Sequence, residues 1–121
     1  MKKSLIAIAT LLLFSFTVDK PKKITIFLAG DSTMSIKETK AFPETGWGMP
    51  FVYFWDSSIN VVNTAKNGRS TKSFILEGIW QSIVNQATEG DYVMIQFGHN
   101  DEVKEKTDRY TTPDEFKNNL T

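Results

Sequence analysis

Three short segments of this 121-residue chain carry groups able to contact a polar ligand. Gly30-Asp31-Ser32 offers a serine hydroxyl. Asn67-Gly68-Arg69 offers a glycine whose backbone N–H can point at a bound group, and Gly98-His99-Asn100-Asp101 offers a side-chain amide. Each segment also has an ordinary reading, because Gly, Asp and Ser form turns, Asn-Gly is a turn pair and Asn caps helices. Asp31 reads as an acceptor for backbone N–H groups of its own loop. Lys66, Arg69 and Lys72 surround Gly68, either as a solvated positive patch or, through the Arg69 guanidinium, as a carboxylate contact. The chain has no cysteine and one histidine, His99. That excludes disulfides, thiolate metal sites, a cysteine nucleophile and a multi-histidine metal centre. Basic and acidic side chains number 14 each, so there is no basic excess to suit a nucleic acid.

The elements that position these groups follow from local pattern. Residues 24–29, 59–64 and 92–97 are short, mostly apolar and rich in β-formers, and the first and third stop at turn residues. Between the second and third, Ile75, Ile79 and Ile83 recur four apart, which predicts one helix over 71–88. A shorter helix is predicted over 47–55 despite Pro50, with Trp47, Phe51, Tyr53, Phe54 and Trp55 mostly in the core. Asp101-Glu102 opposite Lys104 reads as a charged, solvated loop. Strand and helix thus alternate, as in an α/β domain whose parallel sheet is covered on both faces. In such sheets ligands bind beyond the carboxyl ends of the strands, which is where the three polar segments fall.

The two ends of the chain carry further signals. Lys2 and Lys3 precede an apolar stretch over 5–16, too short to span a bilayer but suited to a secretory signal. This predicts a signal peptide over 1–17, a polar lead-in over 18–23 and a domain over 24–121, in a secreted or periplasmic protein. Without the two lysines, 12 of the 14 basic side chains remain against 14 acidic ones, and no cysteine is present to carry a lipid. At the other end, Thr112-Pro113-Asp114-Glu115 is a capping box with proline at the first helical position. Phe116 and Leu120 begin an apolar face, and the sequence stops at Thr121. The chain therefore reads as the front part of a longer domain, with an unpaired sheet edge and a tendency to instability or aggregation when alone.

Taken together, Gly-Asp-Ser-Thr-Met at 30–34, Asn-Gly-Arg-Ser at 67–70 and Gly-His-Asn-Asp at 98–101 resemble the first three blocks of the SGNH, or GDSL, hydrolases. Gly46-Trp47-Gly48-Met49-Pro50-Phe51, the 69–74 run and Gly90-Asp91-Tyr92-Val93 are similar to the rhamnogalacturonan acetylesterase branch. The resemblance implies a three-layer, flavodoxin-like parallel sheet with helices on both faces and its C-terminal part missing. It implies a serine hydrolase acting on acetylated pectic polysaccharide or another acyl carbohydrate. No metal or organic cofactor, no nucleic acid and no stable membrane anchor after signal cleavage are expected. Ser32 would be the nucleophile. The backbone N–H groups of Ser32 and Gly68 and the Asn100 amide would form the oxyanion hole. Arg69 and His99 would lie on the substrate side. The family's late Asp-x-x-His block, which supplies the catalytic base, does not occur in these 121 residues. The chain alone is therefore expected to be inactive. The alternatives are a non-catalytic carbohydrate-binding or scaffold fragment, and a phosphate-binding α/β module, the latter disfavoured by the want of a Gly-rich phosphate loop.

Overall fold

A computed structural model describes residues 22–121. The predicted signal segment, and all but the last two residues of the lead-in, lie outside the described residues. Three strands form one parallel sheet: β1 (Ile24–Gly30), β2 (Ile59–Asn63) and β3 (Tyr92–Gln96), in the spatial order β2-β1-β3. The helices are α1 (Gly48–Phe51), α2 (Thr71–Leu76), α3 (Ile79–Gln86) and α4 (Pro113–Leu120), with short 3₁₀ turns at Thr39–Ala41 and Val52–Phe54. The α/β class expected from the sequence is the one observed.

The central strand explains the layering. Successive side chains of a strand point to opposite faces, so β1 feeds two cores at once. Ile26 and Leu28 pack with Met34 and Ala65 beneath Trp47 and Phe51 of the α1 segment. Phe27 and Ala29 pack on the other face with Phe74 of α2 and Ile83 of α3. Leu28 and Ala29 are wholly buried, and a buried leucine of this kind is worth roughly 1.5–3 kcal/mol. The register sets Leu28 beside Asn63 and Gly30 beside Gln96, which brings all three carboxyl ends to one edge. Trp47 closes the same edge. Its backbone N–H donates to the Thr33 carbonyl at 2.9 Å, and its indole N–H donates to Gln96 Oε1 at 2.5 Å.

Three expectations are corrected. The helix predicted over 71–88 is two helices, because Gly78 takes a left-handed conformation (φ +72°) and ends the first. Such a residue after a helix is usually glycine, which carries no Cβ penalty there. The four-residue repeat is broken with it: Ile83 is buried but Ile75 is 42% exposed. Tyr53 and Phe54 are 86% and 80% exposed rather than core, since the chain leaves α1 through a 3₁₀ turn that carries them off the sheet. Asp101 is buried, not solvated. Coverage by helices is fullest over β1, while every residue of β3 is exposed to some degree, Tyr92 most of all. The capping box of α4 forms as predicted, with Thr112 Oγ1 accepting from the Glu115 N–H and Glu115 Oε2 accepting from the Thr112 N–H.

Candidate active site

The loop after β1 folds on Asp31. Its Oδ1 accepts from the Thr33 N–H at 2.9 Å and the Thr33 hydroxyl at 2.8 Å, while its carbonyl accepts from the N–H groups of Met34 and Ser35. Asp31 is thus the loop acceptor that the sequence suggested, and Ser32 stands half-buried at the turn it makes. The loop after β2 begins where the Lys66 N–H donates to the Gly30 carbonyl. It then reaches Gly68, whose φ of +76° only glycine adopts without cost. The loop after β3 carries Asn100, which is buried and donates through Nδ2 to the Arg69 carbonyl at 3.0 Å.

Two cations clasp these loops together. Lys37 Nζ donates to the Ser32 carbonyl (2.6 Å) and to Asn67 Oδ1 (2.9 Å), and it pairs with Glu44 at 2.9 Å. A buried ammonium is tolerated only when paired and hydrogen-bonded in this way. Ser35 Oγ adds a second donor to Asn67 Oδ1. On the other side Arg109 Nη1 donates to Asn100 Oδ1 at 3.2 Å, and a Cβ on Gly68 would lie 3.3 Å from the same Nη1. The Ser32, Gly68 and Asn100 segments are therefore brought to one edge and tied in a chain of contacts. Neither Lys37 nor Arg109 is foreshadowed in the sequence: each sits in a polar run, and no spacing marks it.

A deeper anchor lies behind Asn100. Asp101 Oδ1 accepts from the N–H and hydroxyl of Thr71 at 3.0 and 2.5 Å and from the Thr111 hydroxyl at 3.0 Å. The third loop is thereby fixed to the start of α2, where a negative charge also suits the helix terminus. The Arg69 side chain makes its polar contacts within the second loop and at the end of α2. Its Nε and Nη2 both engage Glu77 Oε2, at 3.1 and 3.0 Å, and its Nη1 donates to the Asn67 carbonyl. Lys72 donates to the Thr107 carbonyl. The His99 side chain is 71% exposed, with Nδ1 4.0 Å from Glu102 Oε1. Among the described residues no cluster of three or more His, Cys, Asp or Glu side chains could hold a metal, and no helix is long and apolar enough to cross a membrane.

No protein-family model matches the chain. The Bacillus subtilis rhamnogalacturonan acetylesterase RhgT is 45% identical over 95 residues, covering 78% of this chain and 41% of RhgT. The chain is homologous to part of a rhamnogalacturonan acetylesterase. The probable rhamnogalacturonan acetylesterase YesY of the same bacterium is 40% identical over 88 residues, and the rhamnogalacturonan acetylesterase of Emericella nidulans is 47% identical over 78. These matches cover 73% and 64% of the chain, and 40% and 28% of the two relatives. The chain thus spans about two fifths of the length of its Bacillus acetylesterase relatives. The crystal structure of the Bacillus subtilis protein YxiM superimposes with a TM-score of 0.72 at 28% identity, over 81% of this chain and 27% of that one.

Proposed function

We propose that this chain is the nucleophile- and oxyanion-bearing part of a secreted carbohydrate esterase that removes acetyl groups from pectic polysaccharide. The observation that carries the reading is the joining of the Ser32, Gly68 and Asn100 loops at the carboxyl edge of a parallel sheet, by Lys37 between the first two and by the Asn100 amide to the Arg69 carbonyl between the last two. Homology to rhamnogalacturonan acetylesterases supports the substrate class. In the proposed reaction Ser32 Oγ attacks the acetyl carbonyl carbon. The carbonyl π electrons move onto oxygen, held by N–H donors of Ser32 and Gly68 and by the Asn100 amide. Collapse breaks the bond to the sugar oxygen, which takes up the proton drawn from Ser32 and leaves as the alcohol, giving acetyl-Ser32. Water then attacks that ester, releasing acetate and restoring the hydroxyl.

The base that accepts the Ser32 proton is not assigned to His99, whose ring lies in solvent beside Glu102. A base needs an orienting partner on its far nitrogen and reach to the nucleophile. We therefore expect the 121 residues by themselves to show no turnover. The test is acetate release from acetylated rhamnogalacturonan by the full gene product and its Ser32→Ala variant. Loss of release in a folded variant supports the assignment, and wild-type release refutes it. An organophosphorus probe that labels the wild type at Ser32 separates an activated nucleophile from a carbohydrate-binding scaffold, which would not label.

A further inference from the structure

Asn100 can present either end of its amide to the site, and only one end is a donor. Its surroundings decide which. Arg109 Nη1 sits 3.2 Å from Oδ1, and the Arg69 carbonyl oxygen sits 3.0 Å from Nδ2. Flipping the amide would set NH₂ against a guanidinium and oxygen against a carbonyl, two repulsive contacts replacing two hydrogen bonds. The orientation is held in place, and among the described residues the second Nδ2 hydrogen has no acceptor. Arg109 occupies this place at a cost. Among the described residues its Nε is buried without a hydrogen-bond partner, the Asp108 carboxylate standing 3.8 Å away. A buried donor left unmet calls for a reason.

We propose that Arg109 is a positioning residue that fixes the amide of Asn100 so that its free N–H faces the oxyanion, a role that rests on the esterase reading above. The same Nη1 lies on the Gly68 side of the loop, where an added Cβ would come within 3.3 Å of it. Arg109 touches neither the nucleophile nor the reacting atoms in this scheme. Its effect reaches them through Asn100.

The experiment is steady-state hydrolysis of p-nitrophenyl acetate by the full gene product, with Arg109→Met, Asn100→Ala and the double variant. Arg109→Met is expected to lower kcat by about 10- to 100-fold, with KM nearly unchanged, because a donor displaced by a fraction of an ångström is lost mainly in the transition state. Asn100→Ala is expected to lower kcat by about 100- to 1000-fold. The double variant should be no worse than Asn100→Ala alone, since Arg109 acts through that side chain. Arg109→Lys, which keeps a charge and a donor, should recover part of the loss. If Arg109→Met does not fold, Arg109→Leu replaces it with the same expectation, because it too offers Asn100 Oδ1 no donor. Unchanged kcat in a folded Arg109 variant, or losses that multiply in the double variant, overturn the proposal while leaving the esterase reading intact. An Asn100→Ala variant with full activity overturns the oxyanion assignment and this proposal together.

Discussion

The ammonium of Lys37 lies 2.6 Å from the carbonyl oxygen of Ser32, so the residue assigned as nucleophile is held from behind by a buried cation. The same Nζ grips Asn67, the residue before Gly68. Replacing Lys37 with methionine keeps most of the volume and removes both bonds. The Ser32 carbonyl then loses its strongest partner, and the cost to stability should be about 1.5–3 kcal/mol, the range for hydrogen bonds to charged groups. Urea unfolding of the full gene product and its Lys37→Met variant measures it. An unchanged midpoint would show that the two loops hold together without the clasp.

Gly68 and Gly78 make a matched pair of positive-φ glycines with different surroundings. Among the described residues an added methyl at Gly78 meets nothing within 4 Å, whereas at Gly68 it meets the Arg109 guanidinium. Alanine at either position should cost about 1–2 kcal/mol for the left-handed backbone. Only Gly68→Ala should also depress acetyl-ester hydrolysis. Thermal midpoints alongside rates separate the two effects, and equal activity in both variants would contradict the place given to Gly68.

Asp101 should prove a structural keystone. Asp101→Ala strips acceptors from the Thr71 N–H and from the hydroxyls of Thr71 and Thr111, and leaves them in a dry site. A loss of about 2–3 kcal/mol is expected, from the penalty for buried donors without partners. Denaturant unfolding reads this directly. A loss below about 0.5 kcal/mol, the ordinary range for surface substitutions, would mean that water or rearrangement replaces the carboxylate.

Acid should weaken the amino-terminal edge of the sheet, opposite the site. The Asp91 carboxyl is held below its usual value of 3.8, chiefly by the Thr25 N–H, then by the N–H and hydroxyl of Thr88, with Lys22 adding least. A lowered pKa in the folded state means that the unfolded chain binds more protons in acid. The stabilisation is therefore complete above the unfolded value and is lost as pH falls through the folded one. Asp91→Asn should destabilise the protein at about pH 6, and the gap from wild type should narrow as the pH falls below the ordinary value of 3.8. A gap that stays constant with pH would exclude ionisation as its source.

What the sequence made legible was whatever depends on short-range pattern. Strands at 24–30, 59–63 and 92–96, and the Thr112–Glu115 box, follow from β-branched runs and from a capping rule that needs only neighbours. The meeting of Ser32, Gly68 and Asn100 followed from topology, because parallel strands deliver their carboxyl ends to one edge. What escaped was long-range and polar. Lys37 looks like any solvated lysine until Asn67, 30 positions away, supplies its acceptor. Asp101 looks solvated until Thr71, 30 positions back, presents an N–H and a hydroxyl. The Arg69 guanidinium looks open to a carboxylate until Glu77, eight residues on, supplies one. The break at Gly78 is hidden in the sequence because the isoleucine repeat runs straight across it.

The indole of Trp47 offers an optical use for the bond it makes with Gln96. Trp47 joins the α1 layer to the end of β3, beside the loop that carries Asn100, while Trp55 is partly in solvent and Trp80 packs on the opposite face. Indole emission shifts with hydrogen bonding and polarity at the ring nitrogen. With Trp55 and Trp80 changed to phenylalanine, the remaining fluorophore becomes a native reporter of the seam between the two layers, readable without any label attached.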